Sequence, residues 1–260
     1  MKIAVCVKQV PDSWAEKKLR DGDSLLDRDS VEAVLNELDE YAIEEALQIT
    51  EAQGGGEVVI VTMGPERAGE AVRKALSMGA DSGIHLVDAS LAGSDAAGTS
   101  YALAKLLEGR GFDLIMFGSE STDARMSVVP SMVAERLGLP QLTFANKVEV
   151  SGGTVTIDRV GDYGIETISA ATPAVLGMIE RSNEPRYPSF KGIMAAKKKP
   201  VETVSAADAG IDAGAVGTSG SWSQVNSFAA RPPKAAGVVV QDEGAGGVAI
   251  AEFLDAQKVL

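Results

Sequence analysis

Glu57-Val58-Val59-Ile60-Val61-Thr62-Met63-Gly64-Pro65-Glu66-Arg67-Ala68-Gly69-Glu70-Ala71-Val72-Arg73-Lys74-Ala75-Leu76-Ser77-Met78-Gly79 decides the fold. Val58, Val59, Ile60 and Val61 form an unbroken apolar run, as expected of a strand covered on both faces. Gly64-Pro65 turns the chain, residues 66–78 take helical spacing, and Gly79 closes the helix. Similar pairs lie on either side. Residues 2–10 are rich in β-branched side chains, stop at Pro11 and read as the first strand. Residues 30–53 place Val31, Val34, Leu35, Leu38, Ala42, Ile43, Ala46 and Leu47 on one helical face, with Ser30 as the cap and Gly54-Gly55-Gly56 as the stop. Residues 83–87 and 113–117 read as strands, 94–108 as a helix, and a further helix runs to Leu137. This alternation predicts an α/β fold built on a doubly wound parallel sheet.

Beyond Gln141 the pattern shortens. Residues 148–150, 154–157, 166–169 and 174–178 read as short strands joined by glycine-containing turns, a small antiparallel extension. After Pro200 the composition changes again. Residues 206–220 are mostly Ala, Gly, Asp and Ser, and Arg231-Pro232-Pro233 breaks any regular element. Such a stretch buries too little surface to offset its own conformational entropy. Either the tail is loose or another polypeptide holds it; apolar spacing returns in residues 248–259, which favours an arm that wraps a partner. The division expected is a nucleotide-binding domain over residues 1–200 and an extended C-terminal arm over 201–260.

Composition narrows the function classes. Hydrophobic residues make up 45% but aromatics only 5%, so the core is aliphatic. Lys plus Arg number 24 against 37 for Asp plus Glu, a formal charge of −13, which argues against nonspecific nucleic-acid binding. The single cysteine, Cys6, permits no intramolecular disulfide and reads as a small buried hydrophobe in a reducing compartment. A strand begins at Lys2 with no room for a signal peptide, and no stretch is apolar enough to span a bilayer, so a cytoplasmic location without membrane insertion is expected.

In an open α/β sheet, ligands bind past the carboxyl ends of the strands. There the chain reads Gly118-Ser119-Glu120-Ser121-Thr122-Asp123-Ala124-Arg125-Met126-Ser127-Val128-Val129-Pro130. Gly118 allows a sharp turn, and the hydroxyls of Ser119, Ser121, Thr122 and Ser127 are donors. The amides near Val128 and Val129, at the next helix start, favour an anion. Glu120 and Asp123 oppose bare phosphate unless Arg125 or hydrogen bonds offset their charge. A polar loop without a ligand remains the alternative.

A second candidate is residues 183–199. It is too rich in Pro, Gly and charge for a core element, yet it carries Tyr187, Phe190, Ile193 and Met194 and ends in Lys197-Lys198-Lys199. Either it is a docking surface or its apolar residues fold back onto the domain.

Asn183-Glu184-Pro185-Arg186-Tyr187, Ile193-Met194 and Ala196-Lys197-Lys198-Lys199 together resemble the recognition loop of the electron-transfer flavoprotein β subunit. The similarity extends along the chain: the opening from Lys2 to Asp12, Asn36 followed by Tyr41-Ala42-Ile43-Glu44-Glu45-Ala46, Gly64-Pro65 leading to Lys74-Ala75-Leu76-Ser77-Met78-Gly79-Ala80-Asp81, then Gly164-Ile165-Glu166-Thr167 and Pro173-Ala174-Val175. The resemblance implies an adenine-nucleotide α-hydrolase-like sheet and an αβ heterodimer. It implies an AMP seat made by residues 118–129 with Cys6, Asn36, Glu37, Leu38, Asp39 and Met63. FAD would be held mostly by the α subunit, with this chain closing one side near residues 11–14, and the C-terminal region would embrace that subunit. Electrons would arrive from flavin dehydrogenases such as the acyl-CoA dehydrogenases of fatty acid oxidation and leave for a downstream acceptor. The docking residues would be Glu184, Arg186, Tyr187, Phe190, Ile193 and Met194, and the chain would be a carrier rather than an enzyme.

Three positions depart from the family pattern. Val160 stands where relatives often carry Glu, Ser127-Val128-Val129 replaces a more polar or Gly-containing run, and Phe190 stands where Leu is common. Other readings are a bifurcating relative with a second FAD in the AMP pocket, a stand-alone ATP-using enzyme on the same sheet, and a non-redox scaffold. The enzyme would need a Ser-Gly-Gly-x-Asp-Ser-like loop after the first strand, where this chain has Gln9-Val10-Pro11-Asp12-Ser13-Trp14. Gly244-Ala245-Gly246-Gly247-Val248-Ala249 mimics a dinucleotide fingerprint without the βαβ unit it requires. His85, the one histidine, reads as a packed residue, and nothing suggests a metal site.

Overall fold

The computed structural model describes every residue except Arg231, Ala235, Val238 and Leu260. Two units result, Met1–Asn226 and Ser227–Leu260.

The first unit carries a nine-stranded sheet. In chain order its strands are β1 (Lys2–Cys6), β4 (Glu57–Met63), β5 (Ser82–Leu86), β6 (Leu114–Gly118), β7 (Gln141–Ser151), β8 (Thr154–Gly161), β9 (Gly164–Ala171), β10 (Ala174–Met178) and β11 (Val201–Val204). Between β1 and β4, β2 (Gln9–Pro11) and β3 (Ala33–Leu35) form a separate antiparallel pair. The sheet order is β11-β5-β4-β1-β6-β10-β7-β8-β9, parallel from β11 to β7 and antiparallel from there to β9.

Alternate residues of the central strands feed two cores, which makes the sheet doubly wound. Ile3, Val5, Val58 and Ile60 pack beneath α1 (Glu37–Ala52) and α2 (Gly69–Met78), against Ile43, Leu47, Val72 and Leu76. Ala4, Cys6, Val59 and Val61 face α3 (Ala96–Leu107) and α4 (Val129–Leu137), against Leu103, Leu106 and Val133. The run from Glu57 to Met63 is thus apolar throughout because both of its faces are covered.

The structure revises several boundaries. The residue 30–53 helix begins only at Glu37, and Ala33–Leu35 pairs with Gln9–Pro11 instead. The spacing of Val31, Val34 and Leu35 fits a short strand as well as a helical turn, so periodicity could not separate them. Ser30 is therefore not the cap; Asn36 holds that position. Residues 174–178 are not part of the antiparallel extension. They form β10, fully buried between β6 and β7 and parallel to both. Residues 183–199 are not irregular throughout, since α5 (Phe190–Ala196) starts at Ser189, whose side chain accepts from Gly192 N–H.

The boundary expected at residues 200 and 201 moves as well. β11 edges the main sheet beside β5, and a short helix, α6 (Gly217–Gly220), belongs to the same unit, which continues to Asn226. The second unit holds α7 (Gly246–Ala256), with Val248, Ile250 and Phe253 exposed. Gly244 and Gly246 N–H both donate to Asp242 Oδ1 at 2.8 Å, so these glycines open a helix. Arg231 of the Arg-Pro-Pro break and Val238 of the run before the false fingerprint lie outside the described residues. Among the described residues no helix is long and apolar enough to cross a membrane.

Candidate functional site

The chain runs from β1 to β4 on one side, then returns to β6 on the other side of β1. That reversal makes the carboxyl ends of β1 and β6 the switch point of the sheet, where ligands of such folds bind. Cys6 ends β1, Gly118 ends β6, Met63 ends β4 one strand away, and Asn36 to Asp39 open α1 over the same edge. The residues named from sequence for the nucleotide seat therefore do converge.

A buried carboxylate closes the crevice. Asp39 Oδ2 accepts from Lys8 N–H at 2.8 Å and Oδ1 from Gly118 N–H at 3.2 Å, joining the exits of β1 and β6. Burial pushes the Asp39 carboxyl up to about 7, against the hydrogen bonds that favour its ionised form. Gly118 is required by space: a Cβ there would lie 2.6 Å from Asp39 Oδ1 and 2.7 Å from the Leu38 carbonyl carbon. Asn36 is fully buried and holds the loop at two points. Its Nδ2 donates to Glu120 O at 2.9 Å, and its Oδ1 accepts from Thr122 N–H at 3.0 Å. Burial also raises the Cys6 thiol, with Asp39 adding to the effect, so Cys6 is an inert wall of the crevice.

The loop's two acidic residues are compensated, but not by Arg125. Arg125 is exposed, with a left-handed backbone at φ 50°, as is Ser127 at φ 53°. Glu120 Oε2 accepts from Ser127 Oγ at 3.0 Å. Asp123 has no exposed side-chain surface; its Oδ1 meets Lys8 Nζ at 2.8 Å and its Oδ2 meets Arg28 Nη2 at 2.5 Å. Although burial acts to raise it, these cations hold the Asp123 carboxyl down at about 2. Lys17 Nζ donates to Thr122 O at 3.0 Å. Lys8, Lys17 and Arg28 were not singled out from sequence. The latter two lie in the excursion between β2 and β3, far along the chain from the loop, and no local spacing announces their contact.

Ser119 N–H donates to Met178 O, which ties the loop's start to β10. Ser121 Oγ accepts from Lys8 Nζ at 3.3 Å, Thr122 is buried, and Ala124 and Met126 are exposed. Val128 caps α4 and Val129 begins it, with Pro130 in its first turn. Glu37 is exposed and Leu38 half-buried.

The second candidate splits into a rigid base and an exposed face. Arg186 points inward, its Nε and Nη2 on Glu44 at 2.8 and 2.9 Å and its Nη1 on Glu51 at 2.6 Å. Asn183 Nδ2 reaches Tyr41 O and Glu45 Oε2, both at 3.0 Å. Lys199 caps the end of α2 through Leu76 O, Gly79 O and Ala80 O, so it is not part of a free basic run. Gly192 lets α5 approach α2, since a Cβ would come within 2.5 Å of Ser77 O. What remains outward is Glu184, Tyr187 at 93% exposure, Phe190 at 81%, Ile193 and Met194. The apolar side chains do not fold back onto the domain. The segment closes a groove of about 300 Å³ with Glu37, Glu40, Tyr41, Lys74 and Met78. Another open basin, of about 720 Å³, lies by Arg67, Arg73 and His85. His85 is packed, as expected, with Nε2 3.2 Å from Gly64 O. Val160 and Tyr163 are exposed at the β8–β9 turn, and Arg159 Nε donates back to Thr143 O.

Comparison with known proteins adds family to geometry. A model described as the electron transfer flavoprotein domain matches residues 23–209. The chain is 49% identical to the electron transfer flavoprotein subunit beta of Mycobacterium tuberculosis, covering 99% of each chain. It is 40% identical to the protein of that name from Syntrophomonas wolfei, over 94% of this chain and 91% of the relative. The Megasphaera elsdenii counterpart is 35% identical over all of both. The chain belongs to the electron transfer flavoprotein family and, within it, to the β subunits.

Proposed function

We propose that this chain is the docking, mononucleotide-binding half of an αβ electron carrier. It accepts electrons from flavin dehydrogenases, acyl-CoA dehydrogenases among them, and delivers them to a downstream acceptor in the cytoplasm. The observation that carries this reading is likeness to β subunits over the whole chain.

The residues at the switch point fit AMP by the chemistry of their donors. Serine hydroxyls, the first amides of α4 and Lys17 offer donors to a monophosphate, while Asn36 and Asp39 hold the loop in place. AMP has no redox part and acts as ballast that rigidifies the loop. FAD, held mostly by the α subunit, supplies the electron chemistry when bound. The chain's own work is to cover one side of the flavin near Pro11 to Trp14, where Trp14 is 96% exposed, and to dock transiently. Phe190 is the apolar anchor of that docking, flanked by Tyr187 and Met194, and Arg186 fixes the base from which they project. The second unit wraps the α subunit with the exposed face of α7.

Co-expression with a candidate α subunit tests this. A yellow 1:1 complex reduced by an acyl-CoA dehydrogenase supports the carrier. ATP hydrolysis by this chain alone, with no α subunit retained, overturns it.

A further inference from the structure

We propose that Glu44, on α1, is a positioning residue for docking: it grips Arg186 by side chain and backbone together and so presets the outward face formed by Tyr187 and Phe190. This deepens the docking reading above and rests on it.

Residues 184–189 have no regular secondary structure. An irregular chain that displays apolar side chains loses conformational freedom on docking unless it is ordered beforehand. Here it is ordered from within the domain. At one end Asn183 Nδ2 rests on Tyr41 O and Glu45 Oε2. At the other, α5 lies against α2, with Gly192 close to Ser77 O and Arg73 Nη1 donating to Ala196 O at 2.8 Å. Glu44 holds the middle. Its Oε2 accepts from the Arg186 backbone N–H at 3.1 Å and from Nε at 2.8 Å, and its Oε1 from Nη2 at 2.9 Å. Gln48 Nε2, one turn along α1, donates to the same Oε1 at 2.9 Å and orients the carboxylate. With the main chain of Arg186 fixed as well as its side chain, the direction of the neighbouring Tyr187 is fixed with it.

Glu51 meets Arg186 too, but with a different weight. Its side chain is 60% exposed against 5% for Glu44. An exposed pair is screened by water and contributes little, whereas a forked pair on a buried carboxylate is directional. Burial acts to raise the Glu44 carboxyl, but the hydrogen bonds from Arg186 and Gln48 outweigh it and hold the group below the usual carboxylate range. The grip is therefore made by the charged form.

The test uses the flavin-loaded 1:1 complex with the α subunit, reduced by an acyl-CoA dehydrogenase at varied complex concentration. Glu44→Gln should raise the half-saturating concentration about tenfold and leave the limiting rate within about twofold, because the ordering cost falls on binding and not on electron transfer. Hydrogen exchange at the amides between Arg186 and Phe190 should quicken in the same variant, with exchange in α4 unchanged. Glu51→Gln should move the half-saturating concentration less than about twofold. If Glu44→Gln fails to assemble, Arg186→Gln should show the same split and decides in its place. A variant that melts lower yet docks as wild type makes Glu44 a fold-stabilising residue and overturns the assignment. Phe190→Ala in the same assay separates the two readings. If it slows reduction while Glu44→Gln and Arg186→Gln do not, the positioning role falls and the docking face stands; if none of the three changes the kinetics, both fall.

Discussion

Gly118 lies against Asp39 and Leu38 with no room for a side chain, and that fit concerns the chain before any ligand. A methyl group at position 118 would collide with backbone at Leu38 as well as the Asp39 carboxylate, and backbone cannot rotate aside. Gly118→Ala should cost about 2–4 kcal/mol in thermal or urea unfolding. A loss under 0.5 kcal/mol would mean that α1 sits farther from the end of β6. Asp123 and Asp39 tilt stability in opposite directions with pH. The folded Asp123 carboxyl lies near 2, below the usual unfolded value of about 3.9. Its contribution, up to about 2 kcal/mol, is present above pH 4 and lost as pH falls towards 2. Asp39 near 7 is raised, so its contribution is present below about pH 4 and lost as pH climbs through 7. Melting temperatures across pH should therefore peak at about pH 4 and fall on either side, towards 2 through Asp123 and towards 7 through Asp39. Asp123→Asn should flatten the acid side and Asp39→Asn the neutral side; profiles parallel to wild type would refute both assignments.

At the scale of elements, α5 shows what sequence could and could not say. The apolar residues of 183–199 were legible as a possible docking surface, but their base was not. Arg186, expected at the docking face, is tied to Glu44 and Glu51, well over a hundred positions away in sequence. Lys199 looked like surface charge and caps α2. Long-range ion pairs leave no trace in local spacing, whereas strands such as β4 and β6, buried on both faces, declare themselves by unbroken apolar runs. β10 was readable as a strand, but its neighbours were not, because pairing is decided by topology. The convergence of Cys6, Asn36, Asp39, Met63 and Gly118 was legible only through the alternation of strand and helix. The charge compensation by Lys8 and Arg28 was not legible, because it joins residues 115 and 95 positions apart. With Phe190 exposed and off the core, Phe190→Ala should leave melting within about 0.5 kcal/mol of wild type. It should slow reduction of the complex by dehydrogenase about tenfold, as loss of a buried interface aromatic does. Unchanged reduction rates in stopped flow would remove Phe190 from the docking face.

The whole molecule has a double core in Met1–Asn226 and a second unit in which α7, the one helix among the described residues, has no buried residue. Exposed Trp14, Tyr163, Tyr187 and Trp222 add apolar surface that a solitary chain would not be expected to leave open. A polypeptide of this kind fits one half of a complex with an α subunit, as its likeness to β subunits implies. The most direct measurement is the nucleotide content of the purified 1:1 complex after denaturation, by chromatography and absorbance. One FAD and one AMP per complex is the result expected of a carrier with a structural mononucleotide seat. Two FAD and no AMP, or a colourless chain that stays alone, would contradict it.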